Sequence, residues 1–306
     1  MADPGYRYRL FGVSVTSDVP LPELVPDPGS GAGEVRLSLA AIDRQPDAPA
    51  GLHVDGEDSL LVIPDVGRFL ARGGRELLIE PAPGVSQRNL RLYLLGSAFA
   101  AILHQRGLLP LHANAVVVEG RAIGFMGHPG AGKSTLAAWF HDRGFDVLAD
   151  DVCVVTTAPG QRPLAHPGIP RLRLWREALE AGGRDASAYE RSFDDMDKYT
   201  VPTDLERALP PVPLSHLYLL EKAQDEPSIE RLEGSAAVEA MIANTYRGIY
   251  IRMMGRTHQH MVDCVQLART VPVFRARRRW GFDGFDAEGA ALEAHARRLI
   301  LESKGG

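Results

Sequence analysis

Gly127-His128-Pro129-Gly130-Ala131-Gly132-Lys133-Ser134 is the stretch on which the reading of this chain turns. An apolar run, Ala122-Ile123-Gly124-Phe125-Met126, leads into it, and Ser134 to Arg143 continues with a helical period before Gly144. The order is therefore strand, glycine-rich loop, helix. Glycines let backbone N–H groups turn toward one point without a Cβ in the way, and a helix N-terminus adds partial positive charge there. The pattern G-x-x-x-x-G-K-[ST] in that context points to a nucleoside triphosphate, ATP with Mg²⁺. Lys133 would reach the β and γ phosphates, and Ser134 would ligate the metal. Gly127, Pro129, Gly130, Ala131, Gly132 and Thr135 would complete the cradle. An ordinary glycine-rich turn is the plain alternative. Lysine occurs only at 133, 198, 222 and 304, which makes an accidental match to so constrained a pattern rare.

One helix and one returning strand further on, the chain reads Phe145-Asp146-Val147-Leu148-Ala149-Asp150-Asp151-Val152-Cys153-Val154-Val155. An Asp-Asp pair on its own is usually a surface turn. Here apolar residues flank it on both sides, and unpaired charge buried between them would be costly unless a cation were close. Phosphoryl transfer needs one carboxylate for the metal and one beside the attacking hydroxyl. Adjacent side chains on an extended segment point to opposite sides, so Asp150 and Asp151 would serve different tasks.

Outward from this centre, residues 1–108 read as a smaller strand-rich domain and 109–306 as an α/β domain. In the first, strand-like runs at Tyr6 to Val15, Val35 to Leu39, Ser59 to Ile63 and Glu76 to Ile79 are separated by turn residues, including the loop at 26–33. Asn89 to Gln105 has a helical period. In the second, Leu109 to Val118, a Glu-Gly turn and Ala122 to Met126 form a hairpin. Phe145 to Leu148, Val152 to Thr156, Leu214 to Leu220 and Val271 to Phe274 read as strands. Leu174 to Glu180, Ala236 to Ala243, Met261 to Ala268 and Glu288 to Leu301 read as helices. No fixed-period repeat suggests a solenoid.

The 306 residues carry a net charge of −5, which supplies no global attraction to nucleic acid or an anionic membrane. No stretch approaches the roughly 18 uninterrupted apolar residues of a membrane span, and the N-terminus lacks a secretory apolar core. A cytoplasmic protein without nucleic-acid or membrane partners is the expectation. Cys153 and Cys264 are far apart in apolar surroundings and read as buried small hydrophobes.

The order of these features resembles the HPr kinase/phosphorylase family and its relatives encoded with peptide-modifying systems, including kinases of lasso-peptide precursors. The resemblance rests on His112 in Leu-His-Ala-Asn-Ala, then the glycine loop, then Leu-Ala-Asp-Asp. It covers about 109 to 155 well and the remainder to about 279 loosely. The opening Tyr-Arg-Tyr-Arg-Leu-Phe-Gly looks like the peptide-cluster relatives, and Thr135 stands where HPr kinases usually carry an acidic residue. The resemblance implies an HPr-kinase-like (PEP-carboxykinase-like) P-loop domain that phosphorylates a serine hydroxyl of a peptide or small protein. It implies Asp150 as proton acceptor supported by His112, Asp151 near Mg²⁺, and homo-oligomeric assembly. A histidine can orient and tune a neighbouring carboxylate, although sequence alone leaves open which aspartate does which task.

Arg171 and Arg173 fall on one side of the extended run Pro170 to Trp175, a shape suited to gripping phosphate or an acidic substrate. Asp194 to Tyr199 could close Lys198 over a nucleotide, or be a solvated acidic loop. Arg275, Arg277, Arg278 and Arg279 read as salt-bridged surface, and His258 with His260 as a same-side pair on a strand lacking metal partners. Two further readings stay open: a small-molecule hydroxyl kinase on the same scaffold, and a non-catalytic nucleotide-dependent regulatory module.

Overall fold

The computed structural model describes residues 5–29, 34–158, 160–194, 196–203 and 209–303. Residues 30–33 of the expected loop at 26–33, Asp195 and Lys304 lie outside them.

The first run is two strands rather than one. Tyr6–Leu10 and Val13–Ser17 pair antiparallel around Phe11 and Gly12, whose φ values of 52° and 80° are those of a tight hairpin turn. An eight-stranded sheet follows in the order 25–26, 6–10, 13–17, 35–39, 76–81, 67–72, 58–63, 51–55. Alternation puts Val35, Leu37, Leu77 and Ile79 on a buried face. Against it packs the helical segment 87–105, started by the Ser86 hydroxyl accepting from the Asn89 amide at 3.2 Å. This segment is not a uniform α-helix, since Leu94–Ala98 winds as a π turn. Such turns recur at functional sites because they displace side chains from the regular face. Val152, Val154 and Tyr250 belong to the same apolar cluster, so the later chain packs directly on this layer.

The second sheet runs 147–149, 113–118, 121–126, 212–222, 164–166, 153–156, 109–111, with Val273–Arg278 also paired to Val212–Lys222. Arg121–Met126, Val212–Lys222 and Val273–Arg278 are mutually parallel and carry apolar residues on both faces, as strands covered from two sides must. One face meets the helices Lys133–Asp142 and Phe285–Glu302 through Phe125, Phe140, Tyr218, Leu292 and Ile300. The other meets Ser235–Ala243 and Thr257–Thr270 through Met241, Cys264 and Leu267. Both cysteines are buried and free.

Several boundaries move for packing reasons. The strand before the aspartates is Val147–Ala149, because the Phe145 ring stacks edge-on to Phe140 at 5.2 Å instead of entering the sheet. Leu172 and Leu174 alternate inward on the strand Arg171–Trp175, and the helix begins only at Arg176. His258 and His260 lie on the helix Thr257–Thr270, not a strand, and two positions on a helix face different ways. His260 is buried against the Thr245 hydroxyl at 2.8 Å. Arg275, Arg277, Arg278 and Arg279 pair with Glu221, Glu230, Glu288 and Glu226. Among the described residues no helix is long and apolar enough to cross a membrane.

Candidate active site

The strand Arg121–Met126 ends at Gly127, whose φ is 145°. A Cβ there would sit 2.8 Å from the Leu220 carbonyl and 3.1 Å from Ala131, so only glycine lets the chain turn against the neighbouring strand. The Gly127 amide donates to the Asn244 side-chain oxygen at 2.9 Å, and the Ala131 amide to the His128 carbonyl at 3.0 Å. Pro129 and Gly130 form the exposed tip. Gly132, left-handed at φ 83°, caps the helix Lys133–Asp142 without a side-chain cap, leaving its first amides facing the loop. Lys133 is 7% exposed, and its ammonium donates to the Gly127 carbonyl at 2.7 Å and the His128 carbonyl at 3.3 Å. Burial lowers its pKa from the ordinary lysine value, partly opposed by Asp151.

The two aspartates sit at the bend between Val147–Ala149 and Cys153–Thr156, with Asp151 at φ 70°. That left-handed turn, strained for a non-glycine residue, sends the carboxylates to different neighbours. Asp150 accepts from the Ser134 hydroxyl at 2.9 Å, from the Arg173 amide at 2.8 Å and from the Asn114 side chain. Asp151 pairs with the Arg173 guanidinium and lies 3.4 Å from His112 Nε2. The expected pairing of Ser134 with Asp151 and of His112 with Asp150 is therefore reversed in the geometry. Alternation on an extended segment separated the side chains in the sequence reading, but the bend decides which way each one goes. Burial alone would raise the Asp151 carboxyl, but Arg173 and the His112 hydrogen bond outweigh it and hold the group well below the usual carboxylate range.

His112 stands between Leu109–Leu111 and Ala113–Val118, its amide donating to the Asn244 carbonyl at 2.6 Å. Its ring faces Tyr246 edge-on at 6.2 Å. His112, Asp150, Asp151, Arg171 and Arg173 line an open cleft of 480 Å³ whose wall also takes in Phe11, Leu92, Tyr93, Leu95 and Ser97 from the N-terminal layer. The π turn thus forms part of that wall. Arg171 points the same way as Arg173, and burial lowers its pKa to about 10. Lys198 opens the strand Lys198–Pro202 opposite Trp175 rather than riding on a loop, and its ammonium lies 5.8 Å from the Trp175 ring. Asp194 accepts from the Ser86 hydroxyl at 3.0 Å and pairs with Arg88 at 3.1 Å, which ties this segment to the N-terminal helix.

Sequence reasoning missed Asn114 and Asn244, and also Tyr246 and Arg247, which line the same cleft. Asn114 carried a signal, since it stands two residues after His112 on an extended segment and so shares its face. Asn244 carried none, because it reaches Gly127 from a distant helix end. Ser134 and Asp150 offer Mg²⁺ two hard oxygens at hydrogen-bond separation, the donor type this cation takes when phosphates supply the rest. Among the described residues no group of three His, Cys, Asp or Glu could hold a metal.

No family model matches the chain, and no curated protein matches it. Among solved structures it is similar to the Hpr(Ser) kinase/phosphatase from Coxiella burnetii, with a TM-score of 0.35 and 12% identity over 64% of this chain and 98% of that one. A likeness so distant carries nothing from that protein's activity to this chain, and function rests on the site itself.

Proposed function

We propose that the chain is an ATP- and Mg²⁺-dependent phosphotransferase that moves the γ-phosphoryl group to a serine hydroxyl in a peptide or small protein. The observation that supports it best is the convergence of three parts at one place: a glycine loop ending in Lys133, a Ser134–Asp150 pair, and a second carboxylate, Asp151, opening on a cleft beside His112. In this reading the loop amides and Lys133 hold the triphosphate. Ser134 and Asp150 hold Mg²⁺, which when bound neutralises charge on the phosphate oxygens. The acceptor hydroxyl lies in the cleft against Asp151. Its oxygen bonds to the γ phosphorus as the bond to the β–γ bridging oxygen breaks, its proton passes to Asp151, and ADP leaves. A strongly ionised carboxylate is a weak base, but in a loose transition state its position counts for more than its strength. Arg173 and His112 keep Asp151 charged and aimed. The apolar wall of the cleft suits an acceptor with hydrocarbon to bury, as a peptide has, better than a free polyhydroxy compound.

The test uses γ-labelled ATP with serine peptides in one arm and metabolite pools in the other, on the wild type, Asp150→Asn and Asp151→Asn. Label should pass to peptide, Asp150→Asn should raise the Mg²⁺ requirement, and Asp151→Asn should lower kcat while ATP still binds. Unchanged transfer by Asp151→Asn removes it as the proton acceptor. Label in metabolites alone moves the acceptor class to small molecules, and a chain that fails to bind ATP ends the proposal.

A further inference from the structure

Beside the loop lies a second cleft of 300 Å³. One wall is the loop and the helix it opens, at Gly130, Gly132 and Thr135. The other is aromatic, with Trp175, Trp280 and Phe282. These three rings are 50%, 53% and 46% exposed. Large aromatic side chains dominate cores because they have so much surface to bury, and three left open around one hollow amount to an unfilled apolar contact. They come from two separate places, the end of the strand Arg171–Trp175 and the segment that follows Val273–Arg278.

The two arginines around this hollow are already compensated, and Glu177 adds an exposed carboxylate to its lining. Arg278 pairs with Glu288 at 3.2 Å and lies 4.8 Å from the Phe285 ring, while Arg279 pairs with Glu226 at 2.7 Å. A second phosphate would find no free guanidinium there, whereas a flat, uncharged ring would find faces to stack on. Lys222 sits 5.5 Å from the Trp280 ring and Lys198 5.8 Å from the Trp175 ring, so each indole is already braced on one side by an ammonium. The hollow shares Gly130, Ala131 and Gly132 with the loop that would seat the phosphates. Resting on the reading of that loop as the triphosphate seat, we propose that the cleft between the Gly130–Gly132 turn and the exposed Trp175 and Trp280 rings holds the nucleobase, a purine stacked on indole. A purine presents the larger π face, so it should be preferred over a pyrimidine.

Titrations of the full chain with Mg-ATP, Mg-CTP and Mg-tripolyphosphate, followed by intrinsic tryptophan fluorescence and by calorimetry, test this. ATP should quench the fluorescence and bind about ten- to a hundredfold tighter than tripolyphosphate, the span that base–aromatic stacking supplies, with CTP between them. Trp280→Ala should lose most of that advantage while keeping its tripolyphosphate affinity, and Trp280→Phe should keep most of it. Equal binding of ATP and tripolyphosphate by the wild type, or an undiminished advantage in both Trp280→Ala and Trp175→Ala, overturns the base seat and leaves the loop reading standing. Failure of both ligands to bind overturns the loop reading and the seat with it. Concentration-dependent self-association that Trp280→Ala abolishes, with no quenching by ATP, would assign the rings to contact between copies of the chain and also overturn the seat.

Discussion

In the eight-stranded sheet Arg72 and Glu76 pair along the rim at 3.4 Å with 44% and 39% of their side chains exposed. Around residues 112–173 the same residue types are drawn inward. Lys133 is 7% exposed, and Asp151 and Arg173 share a pair in the floor of a cleft. Rim pairs are worth little either way, because water solvates the partners almost as well. Buried charges are costly, and a fold keeps them where they are compensated and where a perturbed group has a task. The Arg72–Glu76 pair and the Lys133 ammonium differ in how much water reaches their charges. The sheet is a support whose errors should be read in stability, and residues 112–173 a site whose errors should be read in rate.

The largest break in that comparison should come from the inward charges. Lys133→Ala and Asp151→Asn should each lower kcat by about a thousandfold or more, as loss of a preorganised charge or proton acceptor does. The midpoint of urea unfolding should stay near the wild type for Lys133→Ala, whose ammonium is buried at a cost, and fall for Asp151→Asn, which leaves the Arg173 guanidinium without its partner; a loss of stability in Lys133→Ala matching its loss of rate would make that group structural. Next comes Phe69, 1% exposed in the support sheet, where Phe69→Ala should cost about 3–5 kcal/mol in urea unfolding. The folded fraction should keep its kcat, and a parallel fall in rate would mean that the support acts on the chemistry.

A smaller effect joins both regions through pH. Burial pushes His104 down to about 4 and His216 down to about 3, one on the N-terminal helix and one on the central parallel strand. Their folded values lie below the unfolded one, so between these values and pH 6.5 the unfolded chain binds more protons. Stability is then complete above 6.5 and falls with pH through that window, by about 3 kcal/mol for His104 alone. Replacing His104 with Gln should flatten the acid limb of a stability–pH curve, and an unchanged limb would assign acid unfolding to other groups. The smallest effect belongs to the rim: Arg72→Ala should change stability by about 0.5 kcal/mol or less, and added salt should erase it. A larger, salt-insensitive loss would mean that the rim pair is not solvated after all.

Local patterns were enough to mark the strand, glycine loop and helix at 121–142, the alternation at Val35–Leu39, and the paired arginines of Arg171–Trp175, because each depends on neighbours within one turn or one pleat. The same local information placed Asp150 and Asp151 side by side and said that they diverge. It could not say toward what, since Asp150 meets Ser134 and Asp151 meets Arg173 and His112 only after three separate segments have packed together. Asn244 holding Gly127, the π turn in the cleft wall, and Trp175 facing the loop together with Trp280 are of the same kind. Short-range periodicity records which way a side chain leaves its own backbone. What it meets there depends on contacts between residues distant in the chain, and those exist only once the sheets and helices have closed on one another.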